Sequence, residues 1–329
     1  MSACCLEALT EAPGEGISMR IQRSTRTRSW RFGGVFAALV AIMAMVLAGC
    51  TNNESDEGGS GGAASSSKAV EATKVDSIAA LVPEPIRNSG TLVVGVNVPY
   101  SPNEYKDPSG KIVGYDVDLM NAVAGVLGLK AEFKEADFDK IIPAIQQGTY
   151  NVGASSFTDS KEREQQVDFV TYYNAGVQWA QQKGGNIDPN NACGKRVAVQ
   201  STTVEDTDEV PAKSKACTDA GKPAIEKVKF DSQDEATNAL VLGKVDAMSA
   251  DSPITAWAIK RSDGKLETAG GVFDSQPYGY PVQKGSSLTQ ALQQAVQHLI
   301  DNGQYKQIAE NWGVEAGAIQ KSVINGAVS

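Results

Sequence analysis

Arg163 is the residue around which chemistry can be built. It sits eight positions after Ser155, seven after Ser156 and five after Thr158, and a capping residue, Asp159 or Ser160, lies between them. A short strand ending near Ala154 would deliver the hydroxyls. A helix capped at Asp159 or Ser160 would bring Arg163 back to the same point. Backbone N–H groups at a helix start, three hydroxyls and one guanidinium together suit a small carboxylate. A second charged candidate is Asp251, which precedes Ser252-Pro253, a helix start with proline in its first turn. Few other groups compete. His298 is the only histidine, it falls on an amphipathic helical pattern, and no nucleophile motif accompanies it, so a serine or cysteine hydrolase triad is not supported.

The elements that must position these residues alternate. Thr91 to Asn97 is an apolar run of strand length, Tyr115 to Leu127 repeats leucine and valine at helical spacing, and Ala131 to Glu135 alternates as a strand. Phe138 to Gln147 is helical, with Ile141, Ile142 and Ile145 on one face, and Tyr150 to Ala154 is the strand feeding Ser155. A second unit begins at the strand Arg196 to Gln200. It continues with strands at Ala224 to Phe230, Ala247 to Ala250 and Lys265 to Thr268, and with helices at Asp234 to Leu242 and Ser252 to Lys260. Two extended links, Val167 to Gln182 and Gly270 to Pro281, join the units, and helices at Leu288 to Asn302, capped by Ser287, and Gln304 to Trp312 close the chain. The class is α/β with a largely parallel sheet. Two units on two links predict a hinged pair of lobes with the ligand in the crevice between them. The expected boundaries are 75–175 plus 281–329 for lobe 1 and 176–280 for lobe 2.

The N-terminal stretch reads as an export signal. Arg20, Arg23, Arg26, Arg28 and Arg31 are followed by an uncharged, mostly apolar run that ends in Leu47-Ala48-Gly49-Cys50. Residues 1–18 contain three glutamates and no basic residue, so Met19 is the expected true start of a signal spanning residues 1–49. Leu-Ala-Gly-Cys resembles the bacterial lipobox, which makes Cys50 the lipidated residue of the mature chain. Residues 50–74 follow as a tether, rich in Gly, Ser and acid from Thr51 to Lys68, with too little apolar content to bury a core. The net charge is −9. Five Arg and three Glu lie in residues 1–49, which leaves −11 for the rest and argues against nucleic acid as a partner. Of five cysteines, Cys193 and Cys217 remain after Cys4, Cys5 and Cys50 are set aside, an even pair that predicts a disulfide in an exported protein. With no third soft ligand nearby, no metal site and no cofactor are expected.

From about Gly90 to Trp312 the chain resembles the solute-binding proteins of ABC importers, in particular the family that binds polar amino acids. The motifs that carry the resemblance are Gly95-Val-Asn-Val-Pro-Tyr100, Gly114-Tyr-Asp-Val-Asp-Leu119, Phe138-Asp-Lys-Ile-Ile-Pro143, Ser155-Ser-Phe-Thr158 with Lys161-Glu-Arg163, the run Gly194 to Thr203, Gly243-Lys-Val-Asp-Ala247 with Asp251, and Asn302-Gly-Gln-Tyr305. The resemblance implies a type II periplasmic-binding-protein fold and a monomer that delivers an amino acid to membrane permease subunits from the outer face of the cytoplasmic membrane. It implies that Arg163 grips the ligand α-carboxylate and that Thr202 donates to the same group from the other lobe. Ser156 and Thr158 would hold carboxylate and amino group beside Ser155, Asp251 would take the α-ammonium, and Tyr100 and Phe138 would sandwich the side chain. Asn97 stands where relatives that bind cationic amino acids carry an acid, so a neutral or acidic ligand, glutamine- or glutamate-like, is implied. Two alternatives remain. One is an exported dehydratase of cyclohexadienyl or arogenate type, which needs a general-acid carboxyl in the cleft; no glutamate at a cleft motif offers that role. The other is a sensor lipoprotein.

Overall fold

The computed structural model describes residues 70–328; the expectations for the signal segment, Cys50 and most of the tether fall outside these residues. The strands are β1 (Thr91–Val96), β2 (Tyr105–Lys106), β3 (Ile112–Val113), β4 (Lys130–Glu135), β5 (Val152–Gly153), β6 (Val167–Gln182), β7 (Arg196–Gln200), β8 (Glu226–Phe230), β9 (Ala247–Asp251) and β10 (Leu266–Gln283). The helices are α1 (Asp76–Ala79), α2 (Glu84–Ser89), α3 (Tyr115–Val126), α4 (Phe138–Gln146), α5 (Lys161–Glu164), α6 (Val210–Asp219), α7 (Gln233–Val241), α8 (Ser252–Arg261), α9 (Ser287–Asp301) and α10 (Gln304–Trp312).

Eight strands form one sheet in the order β4-β1-β5-β10-β6-β9-β7-β8, and β2 pairs with β3 as a separate hairpin. Parallel pairing holds within each half: β1 with β4 and β5, and β7 with β8 and β9. The two presumed links are in fact β6 and β10, sixteen and eighteen residues long, paired antiparallel along their length. The sheet is therefore mixed, with parallel wings on an antiparallel ribbon. The ladder slips between Ala269 and Phe273, between Phe273 and Gln276, and between Tyr278 and Gly279. Such irregularities bend and twist a ribbon. Gly176 lets the strands approach there, since a Cβ would stand 2.5 Å from Val272 Cγ1 and 2.7 Å from the Phe273 carbonyl oxygen. Lysines on the outermost strands, Lys130 and Lys134 on β4 and Lys227 and Lys229 on β8, discourage further pairing at the edges.

Helices cover both faces of each half. In lobe 1, α3 contributes Leu119, Met120 and Val123, and α9 contributes Leu288, Leu292 and Val296 at helical spacing, to one buried cluster with β1. On the other face α4 packs Ile141 and Ile145 against Phe157 and Phe169. Lobe 2 repeats the scheme, with Ala239 and Leu240 of α7 and Ile254 of α8 on one face, and Trp179, Val197, Val199 and Val210 on the other. Tyr278 and Tyr280 belong to the lobe 1 cluster, so the crossing lies before Tyr278 on β10. Ser160, one of the two expected caps, caps α5 by accepting from Arg163 N, whereas α9 is capped one residue early, by Ser286 and not Ser287. The π-type turn Glu205–Glu209 and α6 have no counterpart in the sequence reading. Cys193 and Cys217 form a disulfide with Cα atoms 5.5 Å apart, tying the approach to β7 to the last turns of α6. Closing a loop of this size is worth about 3 kcal/mol in the chain-entropy model.

Candidate functional site

The site lies where strands end. β1 runs out at Asn97, β5 at Ser155 and Ser156, β7 at Gln200, and β9 at Asp251; Phe138 starts α4 and Glu205 starts the turn before α6. Carboxyl ends of strands and starts of helices converge on one crevice, as open α/β sheets require. The crevice holds about 290 Å³ of atom-free space, part of it open to solvent. Lobe 1 lines it with Asn97, Tyr100, Phe138, Ser155, Ser156, Thr158 and Arg163, and lobe 2 with Gln200, Thr203, Val204, Glu205 and Asp251. All the expected site residues therefore come together there except Thr202.

Arg163 is fixed from both lobes. Its Nη1 donates to the Thr158 carbonyl at 2.9 Å and its Nη2 to the Thr202 carbonyl at 3.0 Å. Its guanidinium stands 5.6 Å from the centre of the Phe138 ring and 5.7 Å from that of Phe157. Burial pulls its pKa below the ordinary guanidinium value, and the charges of Glu205 and Asp251 oppose that shift. Two of five N–H donors are thus used, which leaves three for a carboxylate. Thr202 contributes its carbonyl to this arrangement in place of its hydroxyl. It holds φ at 64°, its N–H donates to Asp206 Oδ2 at 2.9 Å, and its neighbour Thr203 lines the crevice.

Asp251 faces the same space from the lobe 2 side. It occupies the N-cap position of α8 but makes no side-chain cap bond. Instead Tyr100 Oη donates to its Oδ2 at 2.5 Å across the crevice. Burial raises its pKa to about 6, against the stabilising hydrogen bond from Tyr100 and the charge of Arg163. Gln200 Nε2 donates to Asn97 Oδ1 at 2.9 Å, a second bridge between lobes, and Asn97 Nδ2 donates to the Ala136 carbonyl at 2.9 Å.

The serine shelf has a defined polarity. Ser155 Oγ donates to Glu104 Oε1 at 2.8 Å and accepts from Asn97 N at 3.0 Å. Ser156, held at φ 51°, donates its hydroxyl to Asp116 Oδ2 at 3.2 Å and accepts from Asn103 Nδ2 at 2.8 Å. A hydroxyl that gives its one proton to a buried carboxyl has only lone pairs left for a ligand. That polarity favours a ligand ammonium over a ligand carboxylate. Beneath it, burial holds the Glu104 carboxyl well above the ordinary range and raises Asp116 to about 6.

Glu205 is the residue that sequence reasoning missed. It is 1% exposed, its Oε1 has no hydrogen-bond partner among the described residues, and burial, followed by the charge of Asp251, raises its pKa to about 8. Sequence reasoning found no glutamate at a cleft motif suited to a general acid, yet Glu205 lines the crevice. Its signal was positional: Thr203 to Glu205 follow β7 as Ser155 to Thr158 follow β5, but no periodicity marks them. With Asp251 it gives the crevice two carboxyls against one guanidinium. Among the described residues no cluster of three or more His, Cys, Asp or Glu could hold a metal, and no described helix is long and apolar enough to cross a membrane.

Two α/β lobes on a crossing ribbon, closing on a crevice of charged and hydroxyl groups, define a hinged small-molecule-binding protein. The chain belongs to the bacterial extracellular solute-binding proteins, family 3, whose family model matches residues 92–315. It is 43% identical over 293 residues to the arginine-binding protein ArgT of Corynebacterium glutamicum, covering 88% of this chain and 95% of that one. Among solved structures it is similar to an ancestral arginine-binding protein bound to arginine, with a TM-score of 0.63, 36% identity and coverage of 68% of this chain and 98% of that one. It is also similar to the ancestral amino acid-binding protein AncCDT-1, a precursor of cyclohexadienyl dehydratase, with a TM-score of 0.61, 30% identity and coverage of 70% of this chain and 98% of that one.

Proposed function

We propose that this protein captures an amino acid with a cationic side chain, arginine foremost, between its lobes and presents it to an ABC permease. The observation that carries the choice is Glu205. A zwitterion needs one cation and one anion, which Arg163 and Asp251 supply; the second buried carboxyl keeps one oxygen, Glu205 Oε1, with no hydrogen-bond partner among the described residues, and it matches a third, positive, group on the ligand. In this reading Arg163 takes the α-carboxylate, while Asp251 and the serine shelf take the α-ammonium. Tyr100 and Phe138 flank the side chain, and Glu205 meets its guanidinium. Similarity to arginine-binding relatives supports the same ligand. A glutamine-like ligand is the second reading, favoured by the paired amides of Asn97 and Gln200 at the crevice wall. Turnover is disfavoured because Glu205 is needed for charge pairing, and the relative of the dehydratase lineage is itself described as an amino acid-binding protein.

The expected lobe boundaries, 75–175 plus 281–329 and 176–280, are proposed with one change: the return to lobe 1 on β10 is set before Tyr278 in place of 281, because Tyr278 and Tyr280 pack in the lobe 1 cluster. A thermal-shift series against the twenty amino acids tests the ligand. Arginine at saturating concentration is expected to give the largest rise in Tm, since a ligand stabilises by RT ln(1 + [L]/Kd). A larger rise with glutamine or glutamate than with arginine would overturn the choice. The anchor is proposed on Leu47-Ala48-Gly49-Cys50. Mass analysis of the protein from its native membrane is expected to find a lipidated Cys50 as the first residue, with Cys50→Ala released from the membrane; a mature N-terminus elsewhere would refute it.

A further inference from the structure

Three half-buried aromatic side chains outside the crevice form a series across the two lobes. Trp312, at the end of α10, meets Tyr105 of the β2–β3 hairpin edge-on, with ring centroids 6.1 Å apart at 88°. On its other side Tyr105 meets Trp257 of α8 at 6.3 Å and 39°. Trp312 and Tyr105 belong to lobe 1, and Trp257 to lobe 2. None of the three lines the ligand crevice. Each end is braced within its own lobe: Trp312 Nε1 donates to Asp118 Oδ2 at 2.9 Å, and Lys260 and Arg261 lie 5.9 and 5.7 Å from the Trp257 ring.

The hairpin also ties this series to the crevice. Tyr100 N donates to the Glu104 carbonyl at 2.7 Å and Asn103 N to the Tyr100 carbonyl at 3.0 Å, so residues 100–104 are one closed turn. Its base is closely packed: a Cβ on Gly114, at φ 142°, would fall 2.0 Å from the Asn103 carbonyl oxygen. The segment that lays Tyr100 against Asp251 therefore also lays Tyr105 against Trp257. One contact is part of the ligand site; the other touches no ligand.

We infer that Tyr105 and Trp257 form an inter-lobe latch, a pair of affinity-determining residues that act on the ligand only through lobe closure. A contact that lobe closure makes adds its free energy to the closed form, shifts that equilibrium and appears in the ligand affinity. An aromatic pair of this kind corresponds to about a three- to tenfold change in Kd. The inference rests on the amino-acid-binding reading but not on the choice of arginine.

The test is a double-mutant cycle of wild type, Tyr105→Ala, Trp257→Ala and the double variant, with Tyr105→Phe as the ring-retaining control. Kd for L-arginine is measured by calorimetry and dissociation by stopped flow. Each single alanine variant is expected to bind about three- to tenfold more weakly, through faster dissociation, with Tyr105→Phe within about twofold of wild type. The double variant is expected to be weaker than wild type by less than the product of the two single effects. If Trp257→Ala does not fold, Tyr105→Ala against Tyr105→Phe decides alone. Unchanged dissociation in Tyr105→Ala, equal loss in Tyr105→Phe, or fully multiplicative effects would overturn the latch. Should wild type not bind L-arginine, the ligand proposal fails separately, and the same cycle is read with whichever amino acid most raises Tm.

Discussion

Arg163→Ala is expected to weaken amino-acid binding by about 30- to 4,000-fold. Removing one partner of a buried, hydrogen-bonded charge pair costs about 2–5 kcal/mol, and each 1.4 kcal/mol is about tenfold in Kd. Two effects coincide here. The ligand carboxylate loses its fork of N–H donors, and the lobes lose the bond from Arg163 Nη2 to the Thr202 carbonyl. Arg163→Lys should be nearly as poor, because a single ammonium cannot reach both the Thr158 and Thr202 carbonyls and still present a planar face to a carboxylate. Asp251→Asn should show a comparable loss while keeping an oxygen for Tyr100 Oη. Titration calorimetry reads the loss, and circular dichroism checks that each variant is folded. Near-wild-type affinity in folded Arg163→Ala would remove Arg163 from the site.

Glu205→Gln is expected to cost arginine about 10- to 150-fold in affinity while leaving neutral amino acids within about threefold, the size of a lost charge-assisted hydrogen bond of about 1.5–3 kcal/mol. The pH dependence has a definite sign. With its pKa at about 8, Glu205 carries a proton at neutral pH in the ligand-free protein, and it must lose that proton to pair with a guanidinium. Arginine affinity should therefore rise with pH up to about 8, by at most about tenfold per pH unit, and level off above. Below about pH 6, Asp251 adds a second proton to the same balance and steepens the slope. In the absence of ligand the sign reverses. An acid whose folded-state pKa is raised loses its stabilising contribution as pH climbs from its ordinary value of 4.5 through about 8, so the free protein should become less stable over that window. Calorimetry from pH 5.5 to 9 on wild type and Glu205→Gln separates the two. An arginine affinity that is flat between pH 6.5 and 8 in wild type, or that keeps its slope in Glu205→Gln, would refute the assignment.

Much of lobe 1 was legible in the sequence because its signals are local. The apolar run of β1, the helical spacing on α3 and the stop at Gly128 each depend on neighbours in the chain. The same holds for Ser155 to Arg163, where hydroxyls, cap and guanidinium lie within nine residues. The crossing strands were harder. Gly270, Gly271, Pro277 and Pro281 read as a link, yet β10 tolerates them because its ladder slips three times and so does not need every N–H. In lobe 2, Glu205-Asp-Thr-Asp-Glu209 and the Val210-Pro211 that follows carry no apolar periodicity to mark a helix, although proline in the first turn of α6 costs no hydrogen bond. Glu205 was missed for the same reason. The tilt towards glutamine rested on the one residue, Asn97, that lacks a charge, while the compensating acid lay more than a hundred positions away on the other lobe.

The interleaved strand order sets the sequence of events when the chain is made. β6 reaches β5 only through β10, since Val282 pairs with Val152 on one side and with Asp168 on the other. The strands β7, β8 and β9, with the first half of β10, are all synthesised before Val282 appears. Lobe 2 can therefore assemble on a growing chain as an uninterrupted stretch, whereas lobe 1 must wait with a gap in its sheet until synthesis is nearly finished. A chain halted before Val282 holds β1, β4 and β5 with no hydrogen-bonded bridge to β6, and it also lacks α9 and α10, which cover Leu119, Met120 and Val123.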